Sequence, residues 1–521
     1  MSPLRSLALA LALLLAGLVL GADSAASESG ASAPRSRLCS LTGACADDEG
    51  SLHGDEESSL LALARNQDPE GTKVGAAFRR GWVKFPPGHE VRSLPGMHAL
   101  ARNSLRMASG YVPVREDGSK QLFYWFVESQ SSDPSRDPLL LWTNGGPGCS
   151  GLLGFMTEMG PLRPTAKGDL VLNPHAWTKF ANMVFIEQPA GVGFSYPLDD
   201  FEYTDAVAAE DNWEFVKGFL KLYPQLKTSP FWLTSESYGG HYVPTLAQLI
   251  LQENKGEVDF KGVIIGNPLL YLPYTNFGMY GMFHAWSLIP EPEYQAFLEN
   301  ECWWLDDLGE AMKPMPDEQV EKCNELLDYF YNLTENLDPY ALGFPTCSSG
   351  QFSKIVKQIM PRWLSGVFAK FKYVPCSEDY ATDYLNRADV QKALHVKGSV
   401  KWSGCADVKY SEDSVVADMT LVIKDIVERG GVRMMIMSGN EDSVCATLGD
   451  QQWMWKTGYN NSEAWAPYSL DGQVAGFSTV FTAPNGYGFR YATVQGAGHM
   501  IPMTQPRRGS YIVEKFLRGE W

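Results

Sequence analysis

The stretch Phe231-Trp232-Leu233-Thr234-Ser235-Glu236-Ser237-Tyr238-Gly239-Gly240-His241 sets a serine among small residues, where an apolar run gives way to helical spacing. A sharp strand-to-helix bend can hold a hydroxyl at its apex, with the N–H groups of the helix start facing any negative charge that develops there. Ser237 is therefore a candidate nucleophile. The usual elbow reads Gly-x-Ser-x-Gly, and Ser235 stands here in place of its first glycine. A serine hydroxyl needs a base, and the base needs an orienting acid. His499, in Gly496-Ala497-Gly498-His499, and Asp442, in Ser438-Gly439-Asn440-Glu441-Asp442, each follow a run that reads as a strand. Together the three could carry out acyl transfer through a covalent intermediate.

Residues so far apart in the chain meet only if the strands before them end on one edge, as they do in a parallel sheet. Strand-like runs occur at Arg106 to Val114, Gln121 to Glu128, Leu139 to Trp142, Met183 to Glu187, Val263 to Ile265, Val432 to Met437 and Gly488 to Val494. The first two read as a hairpin about Asp117-Gly118. Helical spacing covers Ala206 to Leu222, Thr245 to Glu253 with Pro244 in its first turn, Ser414 to Glu428, and Pro506 to Leu517. Strands alternating with helices predict an α/β fold whose mainly parallel sheet is covered on both faces. The order Ser, Asp, His is that of the α/β-hydrolases. The expected class is thus an α/β-hydrolase fold with a mixed, mainly parallel central sheet. Between about 275 and 377 the rhythm breaks into aromatic and helical segments carrying Cys302, Cys323, Cys347 and Cys376, which predicts an inserted helical cap.

Composition bounds the partners. The net charge of -18 over 521 residues argues against nucleic acid, whose phosphates need clustered Lys and Arg. Arg5, the apolar run Leu7 to Leu20 and the small residues Ser24-Ala25-Ala26 have the layout of a secretory signal peptide, taken as residues 1–26. Residues 27–75, rich in Ala, Ser, Gly, Asp and Glu, read as a mobile segment or propeptide, and residues 76–521 as the catalytic domain. In the secretory pathway the nine cysteines are readable as disulfides with one thiol left over. Cys39 and Cys45 are close enough for a local bridge, although spacing does not choose among pairings. Sequons at Asn332 and Asn460 fit the same compartment. The eight histidines are scattered and no His-Glu-x-x-His occurs, so no metal site and no cofactor is implied.

Longer matches resemble the serine carboxypeptidases of the lysosomal, vacuolar and plant type. The resemblance rests on Trp142-Thr143-Asn144-Gly145-Gly146-Pro147-Gly148-Cys149-Ser150, Glu187-Gln188-Pro189-Ala190-Gly191-Val192-Gly193-Phe194-Ser195-Tyr196, Ser235-Glu236-Ser237-Tyr238-Gly239-Gly240 and Gly496-Ala497-Gly498-His499-Met500-Ile501-Pro502. It implies Ser237 as nucleophile, His499 as general base and acid, Asp442 as orienting carboxylate, and the N–H groups of Gly146 and Tyr238 as oxyanion hole. It further implies that Asn144, Glu158 and Glu236 hold the substrate carboxylate, with at least one glutamic acid protonated, because two anionic carboxylates would repel a third. Taken without the family, Glu158 in Thr157-Glu158-Met159-Gly160-Pro161 reads equally well as a solvated helix residue. The pairs Cys149 with Cys405, Cys302 with Cys323 and Cys347 with Cys376 are implied in the same way, leaving Cys445 as the free thiol. Asn440 stands where the family commonly has Asp, Gly151 where it has a second Ser, and Thr504 where it often has Asp.

The activity expected from the resemblance is release of C-terminal residues from peptides through an acyl-enzyme at acidic pH, in the lysosome, vacuole or extracellular space. Two other readings stay open: acyl transfer to a small alcohol or amine on the same scaffold, and a catalytically silent partner-binding homologue. The oligomeric state is open between monomer and homodimer.

Overall fold

Four consecutive apolar residues, Leu139 to Trp142, do not alternate between core and water, so their strand has to be buried on both faces. In the computed structural model, which describes residues 82–197, 201–306, 308–347 and 376–521, that strand is central to an eleven-stranded sheet. Its strands are β1 (Glu90–Val91), β2 (Met107–Pro113), β3 (Gln121–Val127), β4 (Leu139–Thr143), β5 (Asn182–Ile186), β6 (Pro230–Ser237), β7 (Asp259–Pro268), β8 (Arg433–Gly439), β9 (Asn460–Leu470), β10 (Gln473–Thr482) and β11 (Gly488–Val494). They lie in the order β1-β2-β3-β5-β4-β6-β7-β8-β11-β10-β9. The block from β5 to β11 is parallel, and antiparallel strands flank it on both sides.

The two-residue period of a strand divides the apolar runs between two cores. Leu139, Leu141, Val184, Ile186, Phe231 and Leu233 face one. Leu140, Trp142, Met183, Phe185 and Trp232 face the other. The helices around the sheet are α1 (Asp205–Leu222), α2 (Gly239–Glu253), α3 (Leu272–Ala285), α4 (Glu291–Glu299), α5 (Asp317–Thr334), α6 (Ser377–Leu385), α7 (Thr420–Arg429) and α8 (Pro506–Leu517). α1, α2 and α7 cover the first core through Phe215, Leu246 and Ile426, among others. α6 and α8 cover the second through Tyr384, Ile512 and Phe516. Between β7 and β8, helices α3 to α5 pack a small core of their own around Phe283, Phe297 and Phe330, with the Cys302–Cys323 disulfide inside it. The other bridges are Cys149–Cys405 and Cys347–Cys376, and Cys445 is a buried free thiol. Asn332 and Asn460 are both exposed. Among the described residues no helix is long and apolar enough to cross a membrane.

The chain divides into two units, Met1–Gly75 and Ala76–Trp521, and the described residues belong to the second. The expected leader at 1–26, the segment 27–75 with Cys39 and Cys45, and residues 348–375 of the expected insertion lie outside the described residues.

Two local expectations are corrected, and one hairpin is added to the expected elements. The helix expected over Ser414 to Glu428 is divided into Glu412–Val415 and α7, because the Asp418 carboxylate accepts the Thr420 N–H at 3.0 Å and so restarts the helix there. α2 begins at Gly239, not near Pro244, so Pro244 lies inside the helix and cannot donate to the Gly240 carbonyl. The hairpin of β9 and β10 is absent from the expected elements, yet its turn is Asp471-Gly472 with φ of 54° and 72°, a residue pair suited to a tight hairpin.

Early entry into α2 depends on close approach. A Cβ on Gly239 would lie 1.9 Å from Ser235 Oγ, and one on Gly240 would lie 2.2 Å from the Leu269 carbonyl oxygen. Gly240→Ala is expected to destabilise the fold by about 1–3 kcal/mol, because its neighbour is backbone and cannot swing aside. Urea unfolding of the purified variant checks this.

Candidate active site

Ser237 is the last residue of β6, and the helix behind it starts two residues later. Its φ of 60° is left-handed for a residue with a side chain, a conformation that costs about 1–3 kcal/mol and is retained where function needs it. Ser235, the departure from the usual elbow, donates to the Thr143 carbonyl at 2.6 Å, and it fits because residue 239 has no side chain.

Adjacent strand ends bring the other candidates to this bend. Ser237 is in register with Pro268 of β7, and its carbonyl accepts from Leu269 N–H at 2.8 Å. Asn267, the preceding residue of β7, donates from Nδ2 to Asp442 Oδ2 at 2.8 Å and accepts the Gly439 N–H at 3.1 Å. The same Asp442 oxygen lies 2.7 Å from His499 Nδ1 and accepts from Cys445 N–H at 3.2 Å, while Oδ1 accepts from Val444 N–H at 2.9 Å. A carboxylate fixed by so many donors cannot rotate away from the imidazole. Both side chains are buried, and His499 Nε2 has no partner among the described residues.

The two loops carrying Asp442 and His499 touch through backbone. A Cβ on Gly439 would lie 2.2 Å from the Gly498 carbonyl oxygen. Asn440 Oδ1 accepts the Gly496 N–H at 2.6 Å, and Thr504 Oγ1 accepts the Gly498 N–H at 3.1 Å. Both departures from the family pattern therefore still offer an acceptor to the histidine loop. The third has its own reason: a Cβ on Gly151 would lie 2.3 Å from the Ile186 carbonyl oxygen.

A segment of the helical insertion straps these loops together. The Pro339 carbonyl accepts from Ser443 twice, from N–H at 3.0 Å and from Oγ at 2.5 Å. The Tyr340 carbonyl accepts the His499 N–H at 2.7 Å, and Leu342 N–H donates to the Glu441 carbonyl at 3.0 Å. The Tyr340 ring stands edge-on to the imidazole with centroids 5.0 Å apart.

On the other side of Ser237 lies a carboxyl cluster. Asn144, just after β4, donates from Nδ2 to Glu236 Oε1 at 2.8 Å and to Glu158 Oε1 at 3.1 Å. Its orientation is dictated by its other end, where Oδ1 accepts from Trp142 Nε1 at 2.8 Å and from Gly154 N–H at 3.0 Å. Glu158 ends a π-helical turn, Gly154–Glu158, and is 1% exposed, so the solvated-helix reading does not apply. Burial pushes its carboxyl up to about 7, against the hydrogen bonds from Asn144 and Glu236. Glu236 is pushed well up as well, first by burial and then by the neighbouring Glu158. Two adjacent buried anions are unfavourable, so the pair favours keeping a proton. Glu158 Oε2 is buried and has no partner among the described residues. Gly145 brings the loop against the elbow: a Cβ there would lie 2.4 Å from Tyr238 N. Gly146 has φ of 115°, and its added Cβ would collide with Gly148 N at 2.6 Å.

Several residues here escape a reading of the sequence. Asn267 sits in Gly-Asn-Pro, which reads as a turn. Arg163 donates to the carbonyls of Glu158, at 2.7 Å, and Pro502, at 3.2 Å, joining the π-turn to the histidine loop. Asn173 holds the Glu158 and Gly160 carbonyls at 2.8 and 2.9 Å. The partners of Arg163 and Asn173 are main-chain oxygens, and no motif marks them. Among the described residues, the one grouping of metal-type side chains is Cys347, Cys376 and Asp379, and its two sulfurs are joined in a disulfide.

Raised carboxyl groups have a consequence for stability. Glu187, bonded to Ser150 Oγ, Trp402 Nε1 and Phe194 N–H, is pushed by burial from an ordinary 4.5 up to about 7. A carboxyl whose folded value exceeds its unfolded value takes up a proton on folding, so its stabilisation is complete below the unfolded value and is lost as pH rises through the folded one. The shift on Glu187 corresponds to about 3 kcal/mol between those limits. The calorimetric unfolding midpoint should therefore fall from pH 4.5 to 7, and Glu187→Gln should make that slope shallower.

The chain is similar to known proteins over most of its length. The serine carboxypeptidase family profile matches residues 95–519. Serine carboxypeptidase-like 34 of Arabidopsis thaliana is 33% identical over 474 residues, covering 84% of this chain and 90% of the relative. Serine carboxypeptidase 24 of the same plant is 33% identical over 449 residues, covering 82% and 92%. Among solved structures, KEX1(DELTA)P, a prohormone-processing carboxypeptidase from Saccharomyces cerevisiae, superposes with a TM-score of 0.61 at 20% identity, covering 79% of this chain and 90% of that one, a likeness of fold. With an α/β-hydrolase sheet beneath the site and a family match over most of its length, the chain belongs to the serine carboxypeptidase family.

Proposed function

We propose that the protein is a serine carboxypeptidase that releases C-terminal residues from peptides and proteins, working best in acid. The observation that carries this reading is the buried, proton-sharing pair Glu158 and Glu236, held by Asn144 next to the elbow. A protonated carboxyl can donate to a substrate's terminal carboxylate, whereas an ionised one repels it. Such a pair distinguishes an exopeptidase from an enzyme that accepts internal bonds.

In this mechanism His499 Nε2 takes the proton of Ser237 Oγ as that oxygen attacks the last peptide carbonyl. Asp442 holds the imidazole through Nδ1 and stabilises its positive charge. The N–H groups of Gly146 and Tyr238 receive the oxyanion. When the tetrahedral adduct collapses, His499 gives its proton to the leaving amine, the C–N bond breaks, and the terminal amino acid departs. Water, deprotonated by His499, then splits the acyl-enzyme ester and regenerates Ser237.

The same reading assigns residues 1–26 to a signal peptide, 27–75 to a removable segment, and the helical insertion at about 275–377 to a cap over the site. Passage through the secretory pathway to a lysosome, vacuole or the exterior is supported by the disulfides Cys149–Cys405, Cys302–Cys323 and Cys347–Cys376.

Incubation with a peptide mixture at acidic pH, followed by mass spectrometry, is expected to show stepwise loss from the carboxyl end, abolished in Ser237→Ala. Internal cuts would overturn the exopeptidase reading, and an ester made from an added alcohol would point to acyl transfer. The Michaelis constant for peptides should rise as pH increases through about 7, where Glu158 loses its proton, by roughly tenfold for each charge-assisted hydrogen bond that deprotonation removes. Blocked ester substrates, lacking the terminal carboxylate, should show a flatter profile.

A further inference from the structure

Beside the elbow lies a second acid–imidazole pair that the mechanism leaves unused. Asp205, at the first position of α1, is 8% exposed and receives three side chains. His241 Nδ1 lies 2.9 Å from Oδ2, while the hydroxyls of Tyr410 and Tyr238 donate to Oδ1 at 2.8 and 3.1 Å. The start of a helix favours a negative charge, which helps to hold a carboxylate there. The Tyr238 and His241 rings stack with centroids 4.4 Å apart, and Tyr410 stands edge-on to Tyr238 at 5.4 Å.

The network reaches both walls of the candidate oxyanion hole. Tyr238 is the N-cap residue of the elbow helix, and His241 lies in its first turn. Tyr242, one position further and edge-on to Tyr238 at 5.1 Å, accepts at its hydroxyl oxygen the N–H of Gly148 at 3.2 Å, in the glycine-rich loop. The segment bearing Tyr410 is fastened to that same loop by the Cys149–Cys405 bridge and by Ala406 N–H to the Gly148 carbonyl at 2.9 Å. One buried carboxylate thus fixes the tilt of the Tyr238 residue, and the tyrosines around it tie that residue to the loop carrying Gly146.

From this arrangement we infer that Asp205 is a positioning residue for the oxyanion hole, aiming the Tyr238 N–H through a clamp made by Tyr238, His241 and Tyr410. The inference rests on the serine carboxypeptidase reading, because it takes Tyr238 as a donor to the developing oxyanion. A donor slightly out of line loses its effect in the tetrahedral state and hardly alters binding of a planar ground state, so the clamp acts on kcat and leaves KM in place.

A peptide boronate tests this, because its tetrahedral adduct with Ser237 places an oxygen in the hole, whereas the released terminal amino acid does not. Asp205→Asn is expected to weaken the boronate by about tenfold or more and to lower kcat by a similar factor. The variant's affinity for the released amino acid and its KM should stay within about twofold. Tyr410→Phe, which removes one hydroxyl from a residue outside the helices, should show the same pattern at about threefold and carries the test if Asp205→Asn does not fold. Boronate and product weakened equally in the folded variants, or boronate affinity unchanged in both, would overturn the inference. A wild-type protein that forms no adduct would instead overturn the carboxypeptidase reading beneath it.

Discussion

Two buried glutamates sharing one amide are the constraint around which this molecule is built. Glu158 and Glu236 are both buried, and the side chain they share is the neutral Asn144. An arrangement of that kind persists only if the surrounding groups leave the amide no alternative orientation and keep water out. Trp142 Nε1 and Gly154 N–H meet the first requirement by occupying the oxygen of Asn144. The π-turn meets the second, and its last carbonyl is held by Asn173 and Arg163. The Arg163 guanidinium donates to main-chain oxygens of Glu158 and Pro502.

That chemistry depends on the sheet in a direct way. Glu236 and Ser237 are consecutive residues at the end of a buried strand, so their side chains leave opposite faces by the ordinary alternation of a strand. One bend therefore serves the carboxyl pair and the hydroxyl at once. Ser237 adopts its left-handed conformation because the glycines after it let α2 start immediately and let the glycine-rich loop pass close by.

Much of this is legible in the chain because it depends on local pattern. Runs such as Leu139 to Trp142 can only be strands covered on both faces, and a serine between such a run and a glycine pair reads as an elbow. The Asp471-Gly472 hairpin is legible in principle yet easily passed over, since the alternating pattern beside it is weak: β9 is almost wholly exposed. Glu158 is visible only through family resemblance, because its own neighbours look like a solvated helix. Asn267, Arg163 and Asp205 are not visible at all. Each acts on atoms far away in the sequence, and a single chain carries no record of which distant backbone an amide or a guanidinium will find.

The strap from Pro339 to Leu342 has its own implication for how this architecture can vary. Carbonyl and amide groups of three of its residues end on the loops that carry Asp442 and His499. The insertion is consequently not an ornament laid over a finished sheet, and it cannot swing on a hinge at this point without dragging the imidazole with it. A lineage that shed these helices would have to invent another brace for its histidine before it could shrink.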